Sequence, residues 1–300
     1  MERAPDAPID AHAKRTLAVS ALAVLAVFLD TTVLFVAFPD IVASFPSVGP
    51  TSLSWVLNAY TITFAALLVP FGKMADRIGH KQAFLTGSVV FTVASVACGL
   101  APTAGLLVAF RVLQAVGGAM LLPSSLALLL RAFPPERVPF AVAIWGATGA
   151  VAGAIGPTLG AALVEWAGWR WVFFLNIPIG IFTVVQGRRH LRESSDPSTQ
   201  LPAPLGVVLV AGAAALASFG VVQSEQWGWG DSRTLAAISL GAVVLGIFVL
   251  HQRRTAAPAL DLELFSIRNY AWGNAATAAF SVAFTAMFLS SILFLTNVWQ

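Results

Sequence analysis

The chain has 300 residues, 58% of them hydrophobic and 10% charged, where a water-soluble domain carries roughly a quarter charged. With 21 Phe, 9 Trp and a mean hydropathy of +0.82, it holds more apolar surface than one aqueous core can hide, so much of it must be solvated by lipid. This excludes a disordered chain or a collagen-like fibre; the lone Cys98 excludes a disulfide scaffold, and a formal charge of +3 with scattered basic residues argues against nucleic acid as a partner.

A helix needs about 20 apolar residues to cross the hydrocarbon of a bilayer. Nine runs qualify: 16–38, 52–71, 82–101, 105–130, 139–163, 170–187, 204–223, 234–251 and 271–298. None alternates with period two, which argues against a membrane barrel, and the first is too long and too well followed to be a cleaved leader. His12, His80, His190 and His251 fall outside these runs or at an edge. No buried metal centre and no cofactor is expected.

Lys and Arg concentrate in cytoplasmic connections. Here Arg3, Lys14 and Arg15 precede the first run; Lys73, Arg77 and Lys81 follow the second; Arg131 and Arg137 follow the fourth; Arg188, Arg189 and Arg192 the sixth; Arg253, Arg254 and Arg268 the eighth. Of the 17 basic residues, that leaves Arg170 and Arg233 on the opposite side and Arg111 inside a span. The N-terminus is therefore expected in the cytoplasm.

Two clear charges lie within spans, Asp30 in the first and Arg111 in the fourth. Each costs at least about 2.5–3.5 kcal/mol on insertion scales, which marks it as a functional candidate facing a cavity or a partner. Asp30 lies 15 residues beyond Arg15, or ~22 Å from the inner face, and Arg111 lies 6 beyond Gly105, or ~9 Å from the outer face. In a core about 30 Å thick these levels nearly coincide. Burial favours a neutral carboxyl and a guanidinium favours an ionised one, so a change in either neighbourhood would load or release a proton.

The stretch Gly72-Lys-Met-Ala-Asp76-Arg77-Ile-Gly79-His-Lys81 reads as a dense polar turn, with two glycines for a tight reversal and Asp76 to satisfy unpaired amides at a helix start. Asp76-x-x-Gly79-x-Lys81 is echoed on the opposite side by Glu165-x-x-Gly168-x-Arg170, as an inverted three-plus-three repeat requires. In the fifth run, Gly146, Gly149, Gly153, Gly156 and Gly160 recur at spacings of 3 and 4, which places them on one helix face with Pro157 among them. That face is expected to pack or slide closely against a neighbour. Asn58, Tyr60, Gln114 and Trp145 are candidates for lining a substrate cavity.

These segments resemble the major facilitator superfamily. The polar turn is similar to its second-to-third loop signature, departing at Met74 and His80. Arg111-Val-Leu-Gln114-Ala-Val-Gly117-Gly118 resembles its fourth-span motif, whose arginine is linked to proton transfer. Gly153-Ala-Ile-Gly156-Pro157-Thr-Leu-Gly160 resembles its fifth-span antiporter motif, with Ala161 where a second glycine is usual. Leu29-Asp30-Thr31-Thr32 and Ala37-Phe38-Pro39 are similar to the first-span signature of the fourteen-span drug:proton antiporters.

The resemblance implies an all-α membrane protein with the major facilitator fold. Residues 1–15 would form a cytoplasmic tail, 16–187 a six-helix transport bundle, 188–203 and 252–270 linkers, 204–251 two inserted central helices, and 271–300 the first helix of an incomplete second bundle. It further implies proton-coupled export of lipophilic or amphipathic small molecules from the plasma membrane. The partners would be protons, that cargo and the bilayer. Asp30 and Arg111 would couple protons; Gly72, Asp76, Arg77, Gly79 and Lys81 would form a conformational-switch loop; and Gly149, Gly153, Gly156, Pro157 and Gly160 would form the antiporter motif. A metabolite transporter of the same superfamily, or a non-transporting partner subunit, is the alternative. No G-x-x-x-x-G-K-[ST], H-E-x-x-H or G-x-S-x-G occurs, which argues against nucleotide hydrolysis and against an enzyme.

Overall fold

Lipid offers no hydrogen bonds to the backbone, so each apolar run must satisfy its own amides and carbonyls within a helix. A computed structural model describes residues 10–195, 200–201, 203–255 and 257–298; the side chains of 288, 289, 291–293 and 295–298 are not part of that description. Arg3, the rest of the tail before residue 10, and Gln300 lie outside the described residues.

Among the described residues, eight helices are long and apolar enough to cross a membrane: α1 (Ala11–Ser44), α2 (Pro50–Ile78), α3 (His80–Gly99), α4 (Ala104–Ala132), α5 (Pro135–Ala167), α6 (Arg170–His190), α7 (Pro204–Trp227) and α8 (Ser232–Arg254). A ninth, α9 (Arg268–Val298), follows. Among the described residues there is no strand. Most helices overrun their apolar runs, since hydrogen bonding continues into the polar flanks. At 34 residues, α1 is about 51 Å long, well beyond the hydrocarbon thickness.

Helix α1 is the hub. It packs against α4, α5 and α6, while α3 pairs with α4 and α6, and α2 with α4. Leu29, Val33, Leu34, Ala37 and Ile41 of α1 are buried with Leu53 and Val56 of α2, Leu107 of α4 and Phe173 of α6. Helices α7 and α8 form a hairpin against α2. Trp55 of α2 meets Phe219 of α7 at 6.2 Å between ring centroids, and Gln226 Nε2 donates to Thr51 Oγ1 at 2.9 Å. At the other end of α2 the Lys73 ammonium donates to the carbonyl of Pro258. The described side chains of α9 are exposed apart from a few at its start, Trp272 and Phe280 among the exposed ones.

The polar turn differs from its sequence reading. Helix α2 runs on through Gly72 and Asp76 to Ile78, and the reversal is confined to Gly79, at φ 108° and ψ 133°. Only a residue without a Cβ adopts that backbone at little cost. Gly72 stays helical, and a Cβ there would touch only Pro123, at 3.6 Å. Gly168 makes the equivalent break between α5 and α6 at φ 86°. Each elbow amide bonds back to the carbonyl four residues earlier, Ala75 and Val164. The same acid-x-x-Gly break recurs at Glu225-x-x-Gly228, where α7 ends at φ 94° and the Gly228 amide bonds back to Ser224, so the pattern marks a helix break used three times.

Candidate functional site

The two intramembrane charges meet. Arg111 Nη1 lies 2.6 Å from Asp30 Oδ2, with Asp30 2% and Arg111 1% exposed. Asp30 Oδ1 accepts from Gln114 Nε2 and from Asn176 Nδ2, both at 2.8 Å. The carboxylate therefore receives three N–H donors from two other helices, full hydrogen-bonded support for a buried negative charge.

Arg111 is held as tightly. Its Nε donates to the Val56 carbonyl at 3.0 Å and its Nη1 also to Gln114 Oε1 at 2.6 Å. Its Cζ sits 4.0 Å above the centre of the Tyr60 ring, a cation–π contact strengthened by the burial of both side chains. Gln114 follows Arg111 by three residues, so both project from one face of α4. Ser95 of α3 completes the cluster. Its Oγ accepts from Gln114 Nε2 at 2.8 Å and from Asn176 Nδ2 at 3.3 Å, and donates to the Phe91 carbonyl at 2.8 Å. Five helices, α1, α2, α3, α4 and α6, thus converge on one polar cluster, with three of them meeting at the carboxylate itself.

Among the proposed cavity residues, Tyr60 and Gln114 belong to this cluster. Asn58 and Trp145 do not: Asn58 Nδ2 donates to Ser54 Oγ at 3.3 Å and Trp145 Nε1 to Ser125 Oγ at 3.0 Å. Ser95 and Asn176 are new members. Their sequence signal is slight, one small polar residue in each of two apolar runs, although Asn176 heads an Asn-Ile-Pro step where α6 is interrupted at Leu175.

At the Gly79 elbow, Asp76 is not a helix cap. It sits in the last turn of α2, with its Oδ1 3.1 Å from His80 Nε2 though outside hydrogen-bonding geometry. The amides at the start of α3 are taken by Glu193, from beyond the end of α6. Its Oε1 accepts from the Lys81 amide and its Oε2 from the Gln82 amide, both at 3.0 Å. A carboxylate on the outer side of the elbow can face those N–H groups, whereas Asp76 is committed to the preceding helix. Lys81 Nζ donates to the Arg188 carbonyl at 3.0 Å, and the His80 amide to the Ser194 carbonyl at 3.1 Å. Arg77 is exposed.

The glycine face of α5 divides. A Cβ on Gly156 would collide with Thr32 of α1, and one on Gly160 would lie 3.0 Å from Val33 Cγ1. On Gly149 it would reach the Phe28 ring at 3.3 Å, whereas at Gly146 and Gly153 nothing lies within 4 Å. Only one edge of the stripe meets α1, since two helices touch along a narrow seam and the stripe is two columns wide. Thr32 Oγ1 crosses that seam to the Ala152 carbonyl at 3.3 Å. Pro157 lies within α5 between these contacts.

Among the described residues no group of three or more His, Cys, Asp or Glu is placed to hold a metal ion.

Comparison with known proteins matches residues 20–299 to the model of the Major Facilitator Superfamily. The tetracenomycin C resistance and export protein of Streptomyces glaucescens is 35% identical over 83% of this chain and 46% of its own length. The multidrug efflux pump LfrA of Mycolicibacterium smegmatis is 37% identical over 84% of this chain and 50% of its own. The chain thus spans about half the length of these relatives. Among solved structures, a bacterial homolog of the human lysosomal transporter Spinster, inward-facing and occupied, aligns with a TM-score of 0.53 and 23% identity over 85% of this chain and 65% of that one. The POT family transporter PepTSo aligns with a TM-score of 0.57 and 15% identity over 79% of this chain and 52% of that one. The fold, the buried charge cluster and these matches together make this chain a member of the Major Facilitator Superfamily, with drug-resistance and efflux proteins as its relatives.

Proposed function

We propose that the protein is a proton-coupled antiporter that exports lipophilic or amphipathic small molecules by alternating access. It would lie in the plasma (inner) membrane with its N-terminus in the cytoplasm, α1–α6 forming a transport bundle, α7 and α8 an insertion, and α9 the start of a second bundle. The relatives' names as resistance and efflux proteins support the cargo class. The observation that carries the coupling is the sealed pair of Asp30 and Arg111 at 2.6 Å.

A buried ion pair adds little net stability over an apolar replacement, so its presence here is better explained by use. The ionised carboxylate holds Arg111, Gln114 and Asn176 together; a proton on it cancels the attraction to Arg111 and frees α1 to shift against α4. Protonation from outside and release inside, exchanged for cargo moving outward, completes the cycle. One proton crossing 100 mV releases ~2.3 kcal/mol, enough for roughly a fifty-fold gradient of a neutral solute.

The test is dye uptake into everted membrane vesicles driven by an imposed proton gradient. Asp30→Asn is expected to abolish proton-driven flux while substrate binding stays measurable. Coupled transport that persists in this variant defeats the proposal.

A further inference from the structure

The donors around Asp30 pose a problem for the neutral state. A carboxylate only accepts, so its neighbours must present N–H groups. Oδ1 faces the amides of Gln114 and Asn176, and Oδ2 faces Arg111. Once a proton sits on Oδ1, that oxygen needs an acceptor, and both amide groups meeting it are turned the wrong way. Leaving a buried O–H unpaired would carry its full desolvation penalty.

Gln114 cannot turn over, because its Oε1 already accepts from Arg111 Nη1 at 2.6 Å and reversal would aim an NH2 at a guanidinium. Ser95 points its own proton at the Phe91 carbonyl, 2.8 Å away. Asn176 is different. It is 1% exposed, and its Oδ1 is buried with no hydrogen-bond partner. Rotation of this amide by half a turn gives up the long 3.3 Å bond from Nδ2 to Ser95 Oγ but no bond on its oxygen side, and brings Oδ1 within reach of Asp30.

Resting on the proton-coupling reading above, we propose that Asn176 is a two-position amide that donates to ionised Asp30 and turns over to accept from protonated Asp30, so that the Asp30 carboxyl has a partner in both charge states. The proton comes from a hydronium ion in the water on the open side and forms an O–H bond at Asp30 Oδ1; the net charge of the site rises by one, and no other covalent bond changes. The remaining ionisable groups facing Asp30 are Arg111 from α4, Tyr60 from α2 and Cys98 from α3. Helix α5, which packs on α1, has no ionisable residue between Val138 and Val164. Asn176 is a positioning residue, acting through Asp30.

Infrared difference spectroscopy on the protein in liposomes, stepped from neutral to acid pH, reads the turnover directly. With Asn58, Asn269, Asn274 and Asn297 replaced by Ser, Asn176 is the single asparagine of the chain, and 13C-asparagine labelling isolates its side-chain amide band. The expected result is a protonated-carboxyl band, absent in Asp30→Leu, that titrates together with a shift of the labelled amide band. In transport, Asn176→Leu is expected to slow proton-driven uptake about tenfold, the equivalent of one ordinary hydrogen bond, with substrate affinity within about twofold of the parent. A labelled amide band that stays still while the carboxyl titrates overturns the role of Asn176 and leaves the function standing. If no Asp30 carboxyl band titrates, the coupling reading falls and this proposal with it. The labelled protein carries the test where the Leu variant does not insert.

Discussion

Replacing Gly156 by Ala should destabilise the bundle, whereas the same change at Gly153, three residues away on the same sequence stripe, should not. A Cβ on Gly156 would overlap Thr32 Oγ1 and lie 2.7 Å from Thr32 Cβ, where carbons rest at about 3.5–4.0 Å. Thr32 cannot simply swing aside. Its hydroxyl has the carbonyls of Phe28, Leu29 and Ala152 within 3.1, 3.2 and 3.3 Å as acceptors for its one proton, and rotation leaves the Cβ clash in place. The helices must part by about 1 Å at this point, an overpacking that costs about 1–3 kcal/mol, with loss of an interhelical bond worth about 0.6 kcal/mol. Alanine also gains up to about 1 kcal/mol over glycine in a helix, a gain shared by both variants that cancels in their difference. Gly156→Ala is therefore expected to be about 2 kcal/mol less stable than Gly153→Ala, several degrees in apparent Tm. Thermal unfolding of the two variants in the same detergent measures it. Adding Thr32→Ala to Gly156→Ala should recover about half the loss, since the closer of two clashes disappears. Equal melting of the two glycine variants, or no recovery in the double variant, refutes the packing assigned to this seam.

Gly79→Ala should lower stability by more than about 1 kcal/mol, because it combines a left-handed backbone with a collision against the Glu193 carboxylate; melting in detergent checks it. Arg111→Leu alone is expected to cost about 3–5 kcal/mol by stranding Asp30, while the double change Asp30→Leu/Arg111→Leu should be markedly milder, read from the same melts and a double-mutant cycle. Glu193→Ala should cost about 1 kcal/mol, the worth of a helix cap, and should speed amide hydrogen exchange at Lys81 and Gln82 while exchange in the middle of α3 stays unchanged.

The spans were legible because lipid solvation writes itself into composition: among the described residues each of the nine apolar runs corresponds to a helix, eight of them long and apolar enough to cross a membrane. Their ends were less so. Apolar character stops near 71 in the second run, yet helical hydrogen bonding continues to Ile78 until Gly79 breaks it. Asp30 and Arg111 stood out because a charge in an apolar run is rare and expensive. Ser95 and Asn176 stayed hidden, since small uncharged polar residues are common in spans and their meaning depends on which helices cross. The five glycines looked equivalent at spacings of 3 and 4. Only the line along which α5 crosses α1 separates Gly156 and Gly160 from Gly146 and Gly153. Glu193, over a hundred residues from the amides it caps, carried no local signal at all.

Fastened to both tips of α2, through Gln226 to Thr51 and through Lys73 to Pro258, the α7–α8 hairpin is an outrigger of the first six helices. On the proposed reading, a movement of α9 relative to α1–α6 would leave this outrigger in place and be taken up in the short stretch between Pro258 and Arg268.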